Sequence, residues 1–196
     1  MITIFDYGAG NLRSVQNTLL AIGAEYELVR DAAGLQRATK LILPGVGHFG
    51  QMMRAIDDLG VRDALVERVR AGVPFLGICL GLQALFTSSE EAPGERGLGI
   101  YPGEVRRFQG GMRIPHMGWN QVEPLRSTLL LRGTDKPYVY FAHSYYCPVV
   151  PATAAICDYT VPYTAVLEDA NVYGVQFHPE KSGATGIGIV RNFVES

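Results

Sequence analysis

Charge is scarce in this 196-residue chain and nearly cancels, since 17 lysines and arginines against 19 aspartates and glutamates leave a net −2. Without a basic run there is no electrostatic footprint for nucleic acid or an anionic membrane, and neither is expected as a partner. Cysteine is nearly absent. Cys79, Cys147 and Cys157 are odd in number and never in C-x-x-C spacing, which argues against a disulfide framework or a zinc site; a reducing cytoplasm fits. His143 and Cys147 lie in an aromatic strand with no further ligand pair, so no metal is expected. No apolar run approaches membrane-spanning length, and Met1 to Asp6 lacks the basic-then-apolar pattern of a leader. The dinucleotide fingerprint is missing too: Gly8 and Gly10 follow a predicted strand, but the third glycine of G-x-G-x-x-G would fall at Arg13. No cofactor is expected.

What is present is an apolar, globular composition, 47% hydrophobic and 18% charged, which suits a single domain over residues 1–196. Apolar periodicity predicts strands at 2–5, 25–29, 41–43 and 73–78. Helices alternate with them at 12–22, 31–38, 51–59 and 63–71, the first capped by Asn11 and stopped at Gly23. This is the pattern of an α/β fold with a central, mostly parallel mixed sheet flanked by helices. A helix over 80–86 and a polar surface loop over 87–98 follow. The C-terminal half is strand-rich, with strands at 103–108, 119–122, 138–147, 153–158, 163–167 and 172–177 that suit antiparallel pairing. Helices are expected at 125–131 and at 183–193, the latter weakened by Gly186 and Gly188.

Three stretches carry chemistry. In Gly77-Ile78-Cys79-Leu80-Gly81 the period changes from strand to helix across the cysteine, and the flanking glycines allow the tight bend of a nucleophile elbow and leave room for something to approach. The helix starting after Cys79 points free N–H groups at the sulfur, favouring thiolate and offering oxyanion donors. In Gln176-Phe177-His178-Pro179-Glu180, His178 and Glu180 end a strand; positions i and i+2 share a face, so the carboxylate can orient the imidazole. Pro44-Gly45-Val46-Gly47 is a loop whose glycines let a peptide group turn over cheaply.

Together these stretches resemble the triad-type (class I) glutamine amidotransferases over nearly the whole chain. Within that family, Asp6-Tyr7-Gly8-Ala9-Gly10-Asn11, Pro115-His116-Met117-Gly118-Trp119-Asn120 and Tyr140-Phe141-Ala142-His143-Ser144-Tyr145-Tyr146 are most similar to glutaminase subunits of imidazole glycerol phosphate synthases. The resemblance implies a catalytic triad of Cys79, His178 and Glu180 acting on L-glutamine. It implies an oxyanion hole from Val46, Gly47 and Leu80, and a glutamine site lined by Gly45, Gln83, Ser144 and Tyr145. It also implies a (β/α)₈-barrel cyclase partner that uses the ammonia in a heterodimer, with Asn11, Met117, Trp119 and Lys181 at the interface. Two other readings stay open. One is a triad glutaminase feeding a pyridoxal phosphate, anthranilate or carbamoyl phosphate synthase. The other is a non-catalytic, cysteine-based regulatory module, which leaves His178 and Glu180 unexplained.

Overall fold

The computed structural model describes residues 1–8 and 11–196; Ala9 and Gly10, the latter half of the Gly8-x-Gly10 pair, lie outside the described residues. The first half alternates as its periodicity predicts: β1 (Ile2–Phe5), α1 (Leu12–Ala21), β2 (Tyr26–Val29), α2 (Ala32–Arg37), β3 (Leu41–Gly45), α3 (Phe49–Asp58), α4 (Arg62–Arg70) and β4 (Phe75–Cys79). Local signals set the ends. Asp31 accepts the Gly34 N–H at the start of α2, and Gly23 takes a φ of +73° after α1. Asn11 precedes α1 as expected, yet its side chain makes no capping bond; it accepts from Ser14 Oγ and reaches toward Glu180 instead.

The second half continues with α5 (Leu80–Gln83), β5 (Phe86–Ser89), β6 (Tyr101–Arg107), β7 (His116–Gln121), β8 (Glu123–Pro124), β9 (Tyr138–His143) and β10 (Tyr145–Tyr146). It closes with β11 (Thr153–Asp158), β12 (Pro162–Asp169), β13 (Val172–Val175), a 3₁₀ turn at Pro179–Lys181 and α6 (Gly183–Val194). One eight-stranded sheet runs β2-β1-β3-β4-β13-β12-β11-β8. It is parallel from β2 to β13 and antiparallel beyond.

Strands β1, β3, β4 and β13 are buried along their whole length, as parallel strands covered on both faces must be. Their side chains alternate between two layers. Leu41, Leu43 and Phe75 pack with Leu35, Met53 and Leu65 from α2, α3 and α4. Ile42, Leu76 and Ile78 pack with Leu19 of α1 and Ile189 and Phe193 of α6. Smaller sheets, β10-β6-β5 and the antiparallel pair β7-β9, complete the C-terminal half.

Five local expectations are corrected. Residues 125–131 form turns, not a helix, because side chains take their backbone donors: the Glu168 carboxylate accepts from Leu129 and Leu130, and Thr128 Oγ1 from Leu131. The helix after Cys79 is only Leu80–Gln83, and the expected loop at 87–98 opens with strand β5, paired to β6. The strand expected over 138–147 breaks at Ser144, whose carbonyl accepts the Phe108 N–H. Finally, β13 ends at Val175, and Glu180 sits in the 3₁₀ turn rather than on a strand.

Register then assembles the loops. Gly45 lies opposite Cys79, Val175 opposite Ile78, and β1 flanks β3 on its other side. The segments leaving β1, β3, β4 and β13 therefore share the carboxyl edge of the sheet, where ligands bind in open α/β folds.

Candidate active site

Cys79 ends β4 with φ +54° and ψ −106°, a left-handed conformation that a side-chain-bearing residue adopts only under strain. The flanking glycines make the bend possible for a reason other than the expected one. A Cβ on Gly77 would lie 2.6 Å from the Gly81 carbonyl oxygen, and one on Gly81 would overlap the carbonyl oxygen of Leu43. What approaches is the protein's own backbone, wedged between β3 and the elbow. Gly45 belongs to the same wedge, since its Cβ would sit 2.7 Å from the Gly81 nitrogen.

The second component is held from β9. His178 N–H donates to the Tyr140 carbonyl at 2.9 Å. Ser182 Oγ accepts the Tyr140 N–H at 3.0 Å and donates to the His178 carbonyl at 2.6 Å. Glu180 Oε1 lies 2.8 Å from His178 Nδ1, with the two side chains 2% and 3% exposed, and Asn11 Nδ2 approaches the same oxygen at 3.5 Å. Burial opposes charge on this imidazole, but the facing Cys79 sulfur and the Glu180 carboxylate outweigh it and raise His178 to about 10. The ring is thus held as a cation that can later give up a proton.

These groups meet in a cleft of about 360 Å³ lined by Val46, Gly47, Cys79, Leu80, Gln83, Ser144, Tyr145 and His178, with Met117 and Lys181 also on its wall. The expected catalytic, oxyanion and glutamine-site residues thus come together, apart from Glu180, which backs His178, and Gly45, which packs beneath the elbow. Trp119 and Met117 are 56% and 62% exposed on β7. Trp119 meets Tyr140 edge-on, and Lys181 Nζ lies over the same tyrosine ring, so an aromatic and cationic patch continues from the cleft.

Sequence reasoning missed several residues here. Glu91 lines the cleft while its Oε2 accepts the Phe49 N–H at 2.8 Å. Tyr7 reaches from the end of β1 to Val46, its hydroxyl 3.3 Å from both the Val46 nitrogen and oxygen. Gln176 Nε2 donates to Cys79 Sγ at 3.6 Å.

Gln176 also ends a polar chain through the interior. Because the Tyr145 carbonyl only accepts, His143 Nδ1 must donate to it at 2.8 Å, so His143 Nε2 accepts from Tyr163 Oη at 3.3 Å. Tyr163 Oη in turn accepts from His116 Nδ1 at 3.0 Å, leaving His116 Nε2 to accept from Asn120 Nδ2 at 3.4 Å. Gln83 Nε2 donates to the Tyr145 carbonyl and to Gln176 Oε1, completing the path from β7 to the cysteine. Burial lowers His116 to about 4 and His143 to about 3, which keeps both rings neutral as this pattern requires.

The arrangement has the parts of nucleophilic acyl transfer: a strained sulfur, a carboxylate-oriented imidazole and a loop with backbone donors. Comparison with known proteins agrees. The family described as glutamine amidotransferase class-I matches residues 3–196. The chain is 47% identical over 196 residues to imidazole glycerol phosphate synthase subunit HisH of Methanothermobacter thermautotrophicus, covering 100% of this chain and 98% of that one. It is 46% identical over 197 residues to the subunit of the same name from Deinococcus radiodurans, covering 98% and 92%. A crystal structure of a glutamine amidotransferase superposes with a TM-score of 0.78 at 21% identity, over 99% of this chain and 97% of that chain. PurLQS of Thermotoga maritima gives a TM-score of 0.77 at 19% identity with the same coverage, a likeness of fold alone. By sequence and fold together, the chain belongs to the class I glutamine amidotransferase family.

Proposed function

We propose that this chain, as one amidotransferase domain over residues 1–196, is the glutaminase subunit of an imidazole glycerol phosphate synthase in histidine biosynthesis. The observation that carries the reading is the buried His178–Glu180 pair set against Cys79 at a strained strand end. The names of the relatives support the pathway and, through the word subunit, a partner.

Each step balances on these residues. Cys79 thiolate adds to the side-chain amide carbon of L-glutamine, and backbone N–H groups of Leu80 and the Val46–Gly47 loop stabilise the oxyanion. Collapse breaks the C–N bond as His178 protonates the departing ammonia, leaving a glutamyl thioester. Water, deprotonated by His178, adds to the thioester; glutamate leaves and the thiolate returns, while Glu180 keeps the imidazole oriented throughout. Gln83, Ser144 and Tyr145 line the glutamine site, where Glu91 suits the substrate ammonium. The ammonia passes to a (β/α)₈-barrel cyclase docked on Met117, Trp119 and Lys181, with Asn11 at the edge, in the cytoplasm. Among the described residues no helix is long and apolar enough to cross a membrane.

The test is glutamate release from glutamine by the chain alone, with a cyclase subunit of imidazole glycerol phosphate synthase, and with cyclase plus an acceptor analogue. We expect kcat to rise along this series, Cys79→Ala to abolish turnover, and Trp119→Ala to weaken assembly without inactivating the triad. Full turnover by Cys79→Ala, or failure of any cyclase to bind, would refute the assignment.

A further inference from the structure

We infer that Gln176 is a further catalytic residue: its side-chain amide is a fixed hydrogen-bond donor that stabilises the Cys79 sulfur whenever it carries negative charge, above all as it leaves the glutamyl thioester. This rests on the glutaminase reading above and adds to it a donor on the nucleophile itself.

The sheet puts the amide there. Val175 of β13 lies opposite Ile78 of β4, so the next residues, Gln176 and Cys79, leave the sheet side by side. The Gln176 N–H donates to the Ala165 carbonyl at 3.0 Å, which fixes the main chain at that point, and the residue is fully buried. Cys79 and His178 stand on the cleft wall and Gln176 stands behind it, so the amide meets the sulfur from the interior and leaves the cleft to the substrate.

Which end of the amide faces the sulfur follows from its partners. A main-chain carbonyl only accepts, so the Gln83 atom 2.9 Å from the Tyr145 carbonyl is Nε2. The same Nε2 lies 3.2 Å from Gln176, which must accept there through Oε1. That leaves Gln176 Nε2 to face Cys79 Sγ at 3.6 Å, as a donor. Both amides are buried, so neither turns over without stranding a polar group.

A neutral amide keeps its proton, so its part differs from that of His178, which passes protons to ammonia and from water. Once water has added to the thioester, the adduct collapses by breaking the C–S bond, and the electron pair of that bond returns to sulfur. The Gln176 N–H bond strengthens as this charge arrives, and a thiolate leaves faster the better its charge is stabilised. Helix α5 gives little help of this kind, because its four residues align few peptide dipoles.

Gln176→Met keeps the length of the side chain and leaves Gln83 Nε2 its bond to the Tyr145 carbonyl, so no buried donor is stranded. With cyclase and acceptor analogue we expect kcat to fall about tenfold, the scale of one hydrogen bond to a charged group, with KM no higher than in the wild type. Glutamyl thioester on Cys79, read by acid quench and mass spectrometry, should accumulate because its breakdown is the step that slows. A kcat near the wild-type value, or a folded variant carrying no more thioester than the wild type, would overturn the proposal. The side-chain amide resonance of Gln176 in the nitrogen-15-labelled wild-type chain needs no variant. It should move when Cys79 is alkylated, since a neutral thioether accepts more weakly than a thiolate, and an unmoved resonance would overturn the contact. A wild-type complex that releases no glutamate would instead sink the glutaminase reading, because the resonance reports the donor without turnover.

Discussion

At the scale of single residues, strain at Cys79 makes a prediction that separates backbone from chemistry. Its φ of +54° is unfavourable for any residue with a Cβ and natural for glycine. Cys79→Ala and Cys79→Gly should both lack glutaminase activity, yet the glycine variant should be the more stable by about 1 kcal/mol, strain relief exceeding the added chain entropy. Denaturant unfolding of the two variants checks this, and an alanine variant as stable as the glycine one would show that the elbow is not strained. Tyr7 and Gln176 show how far residues can be read without coordinates. Gln176 stands two positions before His178, a spacing that hints at the cysteine only once β13 is known to lie beside β4. Tyr7 carries no local signal at all, since its contact depends on two strands separated by a helix, another strand and another helix.

At the scale of elements, α6 shows two glycines in one helix with opposite roles. A Cβ on Gly186 would overlap the Pro179 carbonyl in the turn that carries Glu180, whereas one on Gly188 would meet nothing within 4 Å. Gly186→Ala should therefore displace the turn and lower kcat as well as stability. Gly188→Ala should stabilise the protein by about 0.5–1 kcal/mol and leave turnover alone. Thermal unfolding with a glutaminase assay distinguishes them; a stabilised, fully active Gly186→Ala would remove the close approach as an explanation. From sequence alone both glycines read as simple weaknesses in a helix, because propensity says nothing of what the helix packs against. The turns at 125–131 were illegible for the same reason. Their apolar spacing suits a helix, but a carboxylate from distant Glu168 satisfies the backbone first.

At the scale of the whole molecule, the parallel half was the more legible, because strand and helix alternate there with strong periodicity and glycine stops. The small sheets were less so, since their pairing depends on contacts between remote segments. The buried histidines give the molecule a pH signature. The folded state holds His116 near 4 and His143 near 3, below the ordinary imidazole value of about 6.5. As pH falls through that window the unfolded chain takes up these protons first, so the stability the rings confer is complete above about 6.5 and lost progressively toward 3. Urea unfolding from pH 7 to 4 should show a steep loss for the wild type and a shallower one for the His116→Gln, His143→Gln double variant. Parallel slopes would mean that other groups govern acid unfolding.

The polar chain from Asn120 to Cys79 also determines what can travel through the interior. Its bonds run through imidazoles and a phenol at one end, groups that can relay a proton by exchanging partners. At the other end stand the side-chain amides of Gln83 and Gln176, which keep their protons at any physiological pH. The chain is therefore electrically interrupted: a proton on the stretch from His116 through Tyr163 to His143 stops before these amides and cannot quench the nucleophile from behind.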